Sequence, residues 1–154
     1  MFKLDQGKTK LEFWFQGYEA PEHRYHGDDD SWAGFHAIVT TEAFSFESNG
    51  SDVESCAIDS FEKLLNDFLN GKMDENRIFS PIEEGFEIHF YPKGKFYGQV
   101  YDSKNNLIIK KEAELSVYIP EDNWFSPASI KFVLDEEDVK QLHEYIKHII
   151  SNEI

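Results

Sequence analysis

The sequence predicts an α+β fold: a twisted, mainly antiparallel β-sheet with two helices packed on it, in a single domain over residues 1–154. Three observations predict it. Apolar side chains recur with a period of two in separate runs between Leu11 and Phe46 and again between Phe86 and Leu134. The period changes to that of a helix only twice, after Ile58 and after Asp135. No internal repeat or linker divides the chain, and its 154 residues are the size of one ordinary domain.

Leu11, Phe13 and Phe15 alternate with Glu12, Trp14 and Gln16 in a first strand that ends near Gly17-Tyr18, with an aromatic on each face. The next stretch, 19–30, has no period and is punctuated by Pro21 and Gly27, so it is predicted to be a surface loop. It holds Glu19, Glu22, Asp28, Asp29 and Asp30 against one Arg. Trp32 to Thr41 is a second strand, and Phe44 and Phe46 open a third. Ser48-Asn49-Gly50-Ser51 then reads as a tight hairpin turn, with Val53, Ser55 and Ala57 continuing the ladder.

Phe61, Leu64, Leu65, Phe68 and Leu69 line one face of a helix predicted from Asp59 to about Asn70, with Asp59 as N-cap, Glu62 at N3 and Gly71 at C′. Ile78-Phe79-Ser80-Pro81 suits a short edge strand ended by proline. From Gly85 to Ile119 the alternation predicts a three-stranded meander, broken at Pro92-Lys93-Gly94-Lys95 and at 102–106. Ile130, Phe132 and Leu134 form a last strand, and a second helix runs from Asp135 to about Asn152. Its start signals are complete: Asp135 as N-cap, three acids in the first turn and Leu134 placed to pack on Val139.

Thirty acidic residues against 15 basic ones give a net charge of −15, which repels nucleic-acid phosphates and anionic lipid. The charge is uneven. Tyr91 to Lys111 holds five Lys and one Asp, so a cationic partner would meet the remainder of the chain. A single cysteine, Cys56, and an N-terminus lacking the apolar run of a signal peptide point to a reducing cytoplasm. No apolar stretch approaches the roughly 18 residues of a membrane span.

No constellation points to catalysis, a cofactor or a metal. His23, His26 and Asp28 to Asp30 combine imidazole with carboxylate, but Pro21 and Gly27 deny them the phasing of a regular metal site. His36, His89, His143 and His148 are isolated, and Cys56 sits among small residues as a structural thiol. Gly94-Lys95-Phe96-Tyr97-Gly98 lacks the spacing of a phosphate loop. Trp14, Tyr18, Trp32, Tyr97 and Tyr101 would line a pocket if the sheet curled, which is the basis of an alternative function as a small ligand-binding module or hydrolase.

Four segments in order resemble one family. Asp29-Asp30-Ser31-Trp32 with its strand looks like a Tyr-Asp-Ala-Asn-Trp-Leu signature, and Val53 to Asp59 with Phe61, Leu64, Leu65 and Leu69 resembles a junction where a cysteine precedes the first helix. Phe79-Ser80-Pro81 to Phe90 looks like a Glu-Pro-x-Leu-x-Phe strand, and Ile130 to Ile150 is similar to a closing strand and helix. The family is the WapI-type immunity proteins, cytoplasmic antitoxins of wall-associated, contact-dependent bacterial toxins. The resemblance implies no enzymatic activity and no cofactor. It implies binding a cognate toxin domain, often a basic nuclease, and blocking its active surface. The charge favours Glu19, Glu22, Asp28, Asp29 and Asp30 as contacts with that partner, with Glu83 and Glu84 or Glu121 and Asp122 as the next candidates.

Overall fold

Phe2 and Leu4, then Leu11, Phe13 and Phe15, then Ala33, Phe35, Ala37 and Val39 all turn to one side of their strands and are buried there. The computed structural model describes residues 1–24, 31–83, 85–95, 100–108, 110–119 and 128–151. Strands β1 (Phe2–Asp5), β2 (Thr9–Gln16), β3 (Trp32–Thr41) and β4 (Ser45–Glu54) form a first antiparallel sheet in that order. Helix α1 (Ser55–Leu69) follows, and then β5 (Arg77–Phe79), β6 (Phe86–Tyr91), β7 (Val100–Tyr101), β8 (Leu107–Ile108), β9 (Glu112–Tyr118), β10 (Ser129–Leu134) and helix α2 (Glu136–Ser151). The second sheet is antiparallel with order β10-β9-β6-β5, and β7 pairs with β8 alone. Among the described residues the fold is therefore α+β with antiparallel pairing throughout, eight strands lying in two four-stranded sheets and β7 and β8 in a pair of their own.

Phe86 joins the parts. Its ring lies 5.2 Å from Phe13, 4.8 Å from Phe35, 5.9 Å from Phe61 and 5.8 Å from Phe79, so both sheets and α1 meet on one side chain. Gly85 makes this approach possible. A Cβ there would stand 2.6 Å from Phe35 Cδ1 and 3.0 Å from the Ser51 Cβ.

Local signals predicted α2 well. Asp135 Oδ1 accepts the Asp138 N–H at 2.8 Å and Asp138 Oδ2 accepts the Asp135 N–H at 3.2 Å, a reciprocal cap across the first turn. At the C-terminus of α1, Gly71 takes the expected left-handed conformation (φ 70°) and the Lys72 N–H reaches the Asp67 carbonyl at 2.9 Å.

Four expectations need correction. Helix α1 starts at Ser55, so Ser55 and Ala57 are helical and Asp59 lies within the helix, where it caps nothing. Tertiary bonds set that start: the Ser55 N–H donates to the Ser31 carbonyl, and the buried Ser55 hydroxyl meets the Glu19 N–H and the Ser31 hydroxyl. Glu62, expected at N3 of a capping box, reaches His143 Nε2 of α2 at 2.9 Å.

The Asn49-Gly50 pair makes no turn. β4 runs straight through it, with Phe35 opposite Ser51 and His36 opposite Asn49, so Gly50 is the extra residue of a bulge. The β3–β4 connection is instead at Thr41 to Phe44, where the Thr41 N–H bonds the Phe44 carbonyl at 2.8 Å.

The meander is also rearranged. β6 pairs directly with β9, Ile88 opposite Leu115, while Val100 and Tyr101 pair with Ile108 and Leu107 outside the main sheets. Burial decides between the two arrangements: Phe86, Ile88 and Phe90 face the core beside Ala113, Leu115 and Val117, and all six are buried. Lys111, drawn to the Phe68 carbonyl at 3.3 Å and Glu136 at 3.8 Å, lies where the predicted third strand breaks. Finally, β1 has no counterpart among the predicted strands, although Phe2 and Leu4 alternate with Lys3 and Asp5.

Candidate partner-binding surface

Residues 17–24 cross from β2 toward the acidic loop and are fastened to α1 by charge. Arg24 donates from Nη2 to Asp59 Oδ2 at 2.7 Å and from Nε to the Glu19 carbonyl at 2.9 Å, and its guanidinium lies 5.7 Å from the Tyr18 ring centroid. The Tyr18 hydroxyl donates to the other Asp59 oxygen at 2.6 Å. Burial lowers the Arg24 pKa, but the bond to Asp59 and its charge, with a smaller contribution from Tyr18, more than offset that and leave it raised. The strap keeps Glu19 and Glu22 exposed beside the start of α1.

The face of the first sheet turned away from the core carries Trp14, His36, Trp32 and Ile38, and none of the four is buried. Trp14 and His36 are cross-strand partners whose rings stack at 5.2 Å with 9° between planes. Gly34 leaves room for the imidazole, since a Cβ there would already be 3.4 Å from His36 Nε2. Trp32 is 42% exposed. Charges differ across this face. At the β1 side Lys3 lies 3.7 Å from Glu12 and Lys10 lies 3.9 Å from Asp5, whereas β4 contributes Glu47, Asp52 and Glu54 and has no basic residue.

The outer face of the second sheet is built differently. Glu87 accepts from the Tyr118 hydroxyl at 2.8 Å and lies 2.7 Å from His89 Nε2, and Glu114 is bonded by Lys95 and lies 3.6 Å from Lys131. The Lys95 bond, against a smaller opposing effect of burial, holds the Glu114 carboxyl below its ordinary value. On this face Lys95 and Lys131 offset the charge of Glu114.

Of the acids singled out by sequence, Glu19 and Glu22 lie on the strap, and Glu83 is brought to the β4 edge, where its carboxylate accepts the Asp52 N–H at 2.7 Å. Asp28, Asp29, Asp30, Glu84, Glu121 and Asp122 lie outside the described residues. The aromatics expected around a pocket do not share one. Trp14 and Trp32 lie on the outer sheet face, Tyr18 is buried against Asp59, Tyr101 belongs to the separate β7–β8 pair, and Tyr97 is outside the described residues. Two hollows of about 610 and 690 Å³ run along α1 and α2 and are lined mainly by charged side chains such as Glu62, Glu144 and Lys147. The Cys56 thiol donates to Glu54 Oε2 at 3.3 Å. Among the described residues no three His, Cys, Asp or Glu side chains are grouped as metal ligands, and no helix is long and apolar enough to cross a membrane.

Sequence reasoning did not assemble the Trp14–His36–Trp32 face with the acids of β4. The available signal was an aromatic on the polar parity of β2, at Trp14, repeated at Trp32 on β3. No curated protein matches the chain. The family model described as Immunity protein WapI-like family matches residues 1–152, nearly the whole length over which the strap, both sheets and both helices are built, and the chain belongs to that family.

Proposed function

We propose that this chain is the immunity partner of a cognate toxin domain with a basic surface, and that it acts by binding that domain and covering its active surface. The family match over residues 1–152, on a chain of net charge −15, carries the reading. Carboxylates steer a cationic partner and raise its association rate, and those desolvated beside Lys or Arg add to affinity. Glu19, Glu22, Asp28, Asp29 and Asp30 are the contacts proposed first, and Glu83, Glu84, Glu121 and Asp122 extend the acidic surface. No chemistry is required of the chain, which would act in the cytoplasm of the cell that makes the toxin.

The test is affinity for the cognate toxin domain, measured as ionic strength rises from about 50 to 500 mM. The Debye length then falls from roughly 14 to 4 Å, and binding weakens if opposite charges meet. Salt-independent binding defeats the electrostatic reading. Cys56→Ala and the double change of His23 and His26 to Ala are expected to leave protection of toxin-expressing cells intact. Loss of protection by a folded variant of this set would show that the chain does more than bind.

A further inference from the structure

Building on the immunity reading, we infer that the basic partner docks on the outer face of the first sheet, with Trp14, His36 and Trp32 at the centre and Glu47, Asp52 and Glu54 of β4 at its border. A solvated face of an antiparallel sheet ordinarily reads polar, and this one carries Trp14 on β2, opposite His36, with Trp32 and Ile38 on the same parity of β3. Trp is enriched among the residues that dominate binding energy, because a large rigid ring gains contact area at little conformational cost. Trp32 is 42% exposed, and the stack on His36 fixes Trp14 in place before any partner arrives.

Charge selects the occupant. The strand that borders the aromatics has three acids and no base, and Glu83 adds a fourth carboxylate at Asp52. Ile82, the residue before Glu83, is 77% exposed. A partner surface of Lys and Arg surrounding an apolar recess is complementary to this layout. The other exposed faces are less so: the second sheet binds its acids with Lys95 and Lys131, and the α1–α2 groove mixes Lys140 and Lys147 with Glu136, Glu137 and Glu144, Lys147 lying 2.9 Å from Glu144.

The experiment is equilibrium and kinetic binding of the whole chain to the cognate toxin domain, with melting curves to establish that each variant is folded. Trp32→Ala and Trp14→Ala are each expected to weaken binding about tenfold or more, mainly through faster dissociation. Glu47→Lys with Asp52→Lys is expected to slow association about tenfold and to flatten its salt dependence. Val133→Ala, on the outer face of the second sheet, stays within about twofold of the wild type. If either Trp variant is unfolded, the Glu47→Lys and Asp52→Lys pair decides alone, since both positions are exposed. A wild-type chain that binds while the folded variants on this face keep its affinity and association rate overturns the docking face and leaves the immunity reading standing. A folded wild-type chain that does not bind the toxin domain overturns both.

Discussion

The Arg24 guanidinium rests on the Asp59 carboxylate at 2.7 Å, with 4% of the Arg24 side chain accessible and 27% of that of Asp59. A segment lacking regular structure beyond one short turn is thereby tied to the middle of the first α1 turns. Asp59→Asn leaves the buried Arg24 charge without compensation and is expected to cost about 2–4 kcal/mol in urea unfolding, and Arg24→Ala, which leaves a partly exposed carboxylate and lost packing, about 1–3 kcal/mol. Changing both should cost less than the sum, with a coupling of about 1–3 kcal/mol. Additive losses would show that strap and helix are held independently.

Phe86 touches Phe13, Phe35, Phe61 and Phe79, and Phe68 is equally buried against Phe90 at 5.4 Å. Phe86→Ala and Phe68→Ala are expected to lower stability by about 3–5 kcal/mol, Phe86 more because two sheets and a helix lose a shared neighbour. Gly85→Ala adds a methyl where Phe35 and Ser51 already press, and should cost about 1–3 kcal/mol or more. Ile78→Ala, at 57% exposure, serves as the control and should stay within about 0.5 kcal/mol. A Gly85→Ala protein as stable as the wild type would show that β6 can shift away from the first sheet.

Glu114 sets a pH dependence. Its folded pKa lies below the ordinary 4.5, because Lys95 and Lys131 favour the carboxylate. The stabilisation is therefore complete above about pH 4.5 and is lost as pH falls through the folded value. Glu114→Gln should be less stable than the wild type at pH 7, with the difference shrinking as pH drops below 4.5 in the same urea titration. A gap that stays constant with pH would assign the effect to packing.

Signals that are local in sequence were legible. The caps and apolar stripe of α2 lie within one turn of each other, and Gly71 needs only its own backbone to end α1. What failed was decided by distant residues. Asp59 looked like an N-cap because it precedes Phe61, but Ser31 and Glu19 fix the start of α1 four residues earlier and Arg24 claims the carboxylate. The run from 107 to 119 looked like one strand by parity, yet Ile88 and Leu115 bury more by pairing directly. For the candidate surface, the acids were visible as charge, and Trp14 and Trp32 as aromatics on a polar parity. Their meeting on one face required the β2–β3–β4 register and the bulge at Gly50.

That bulge also leaves the nascent chain with two mutually exclusive ways to bend. Closed as a two-residue turn, Asn49-Gly50 would set Phe46 opposite Val53 and Glu47 opposite Asp52, a hairpin that needs almost no loop closure. The native course keeps the same residues extended along β3 and forms its turn at Thr41 to Phe44. Like charges directly across a ladder disfavour the competitor, and Glu47 and Asp52 would face each other there. Neutralising both, by Glu47→Gln with Asp52→Asn, is expected to slow refolding followed by Trp fluorescence, and an unchanged rate would show that the wrong hairpin is never populated. Changes to the acids of β4 would then alter how quickly active protein appears after synthesis, a kinetic burden separate from anything measured on the finished fold.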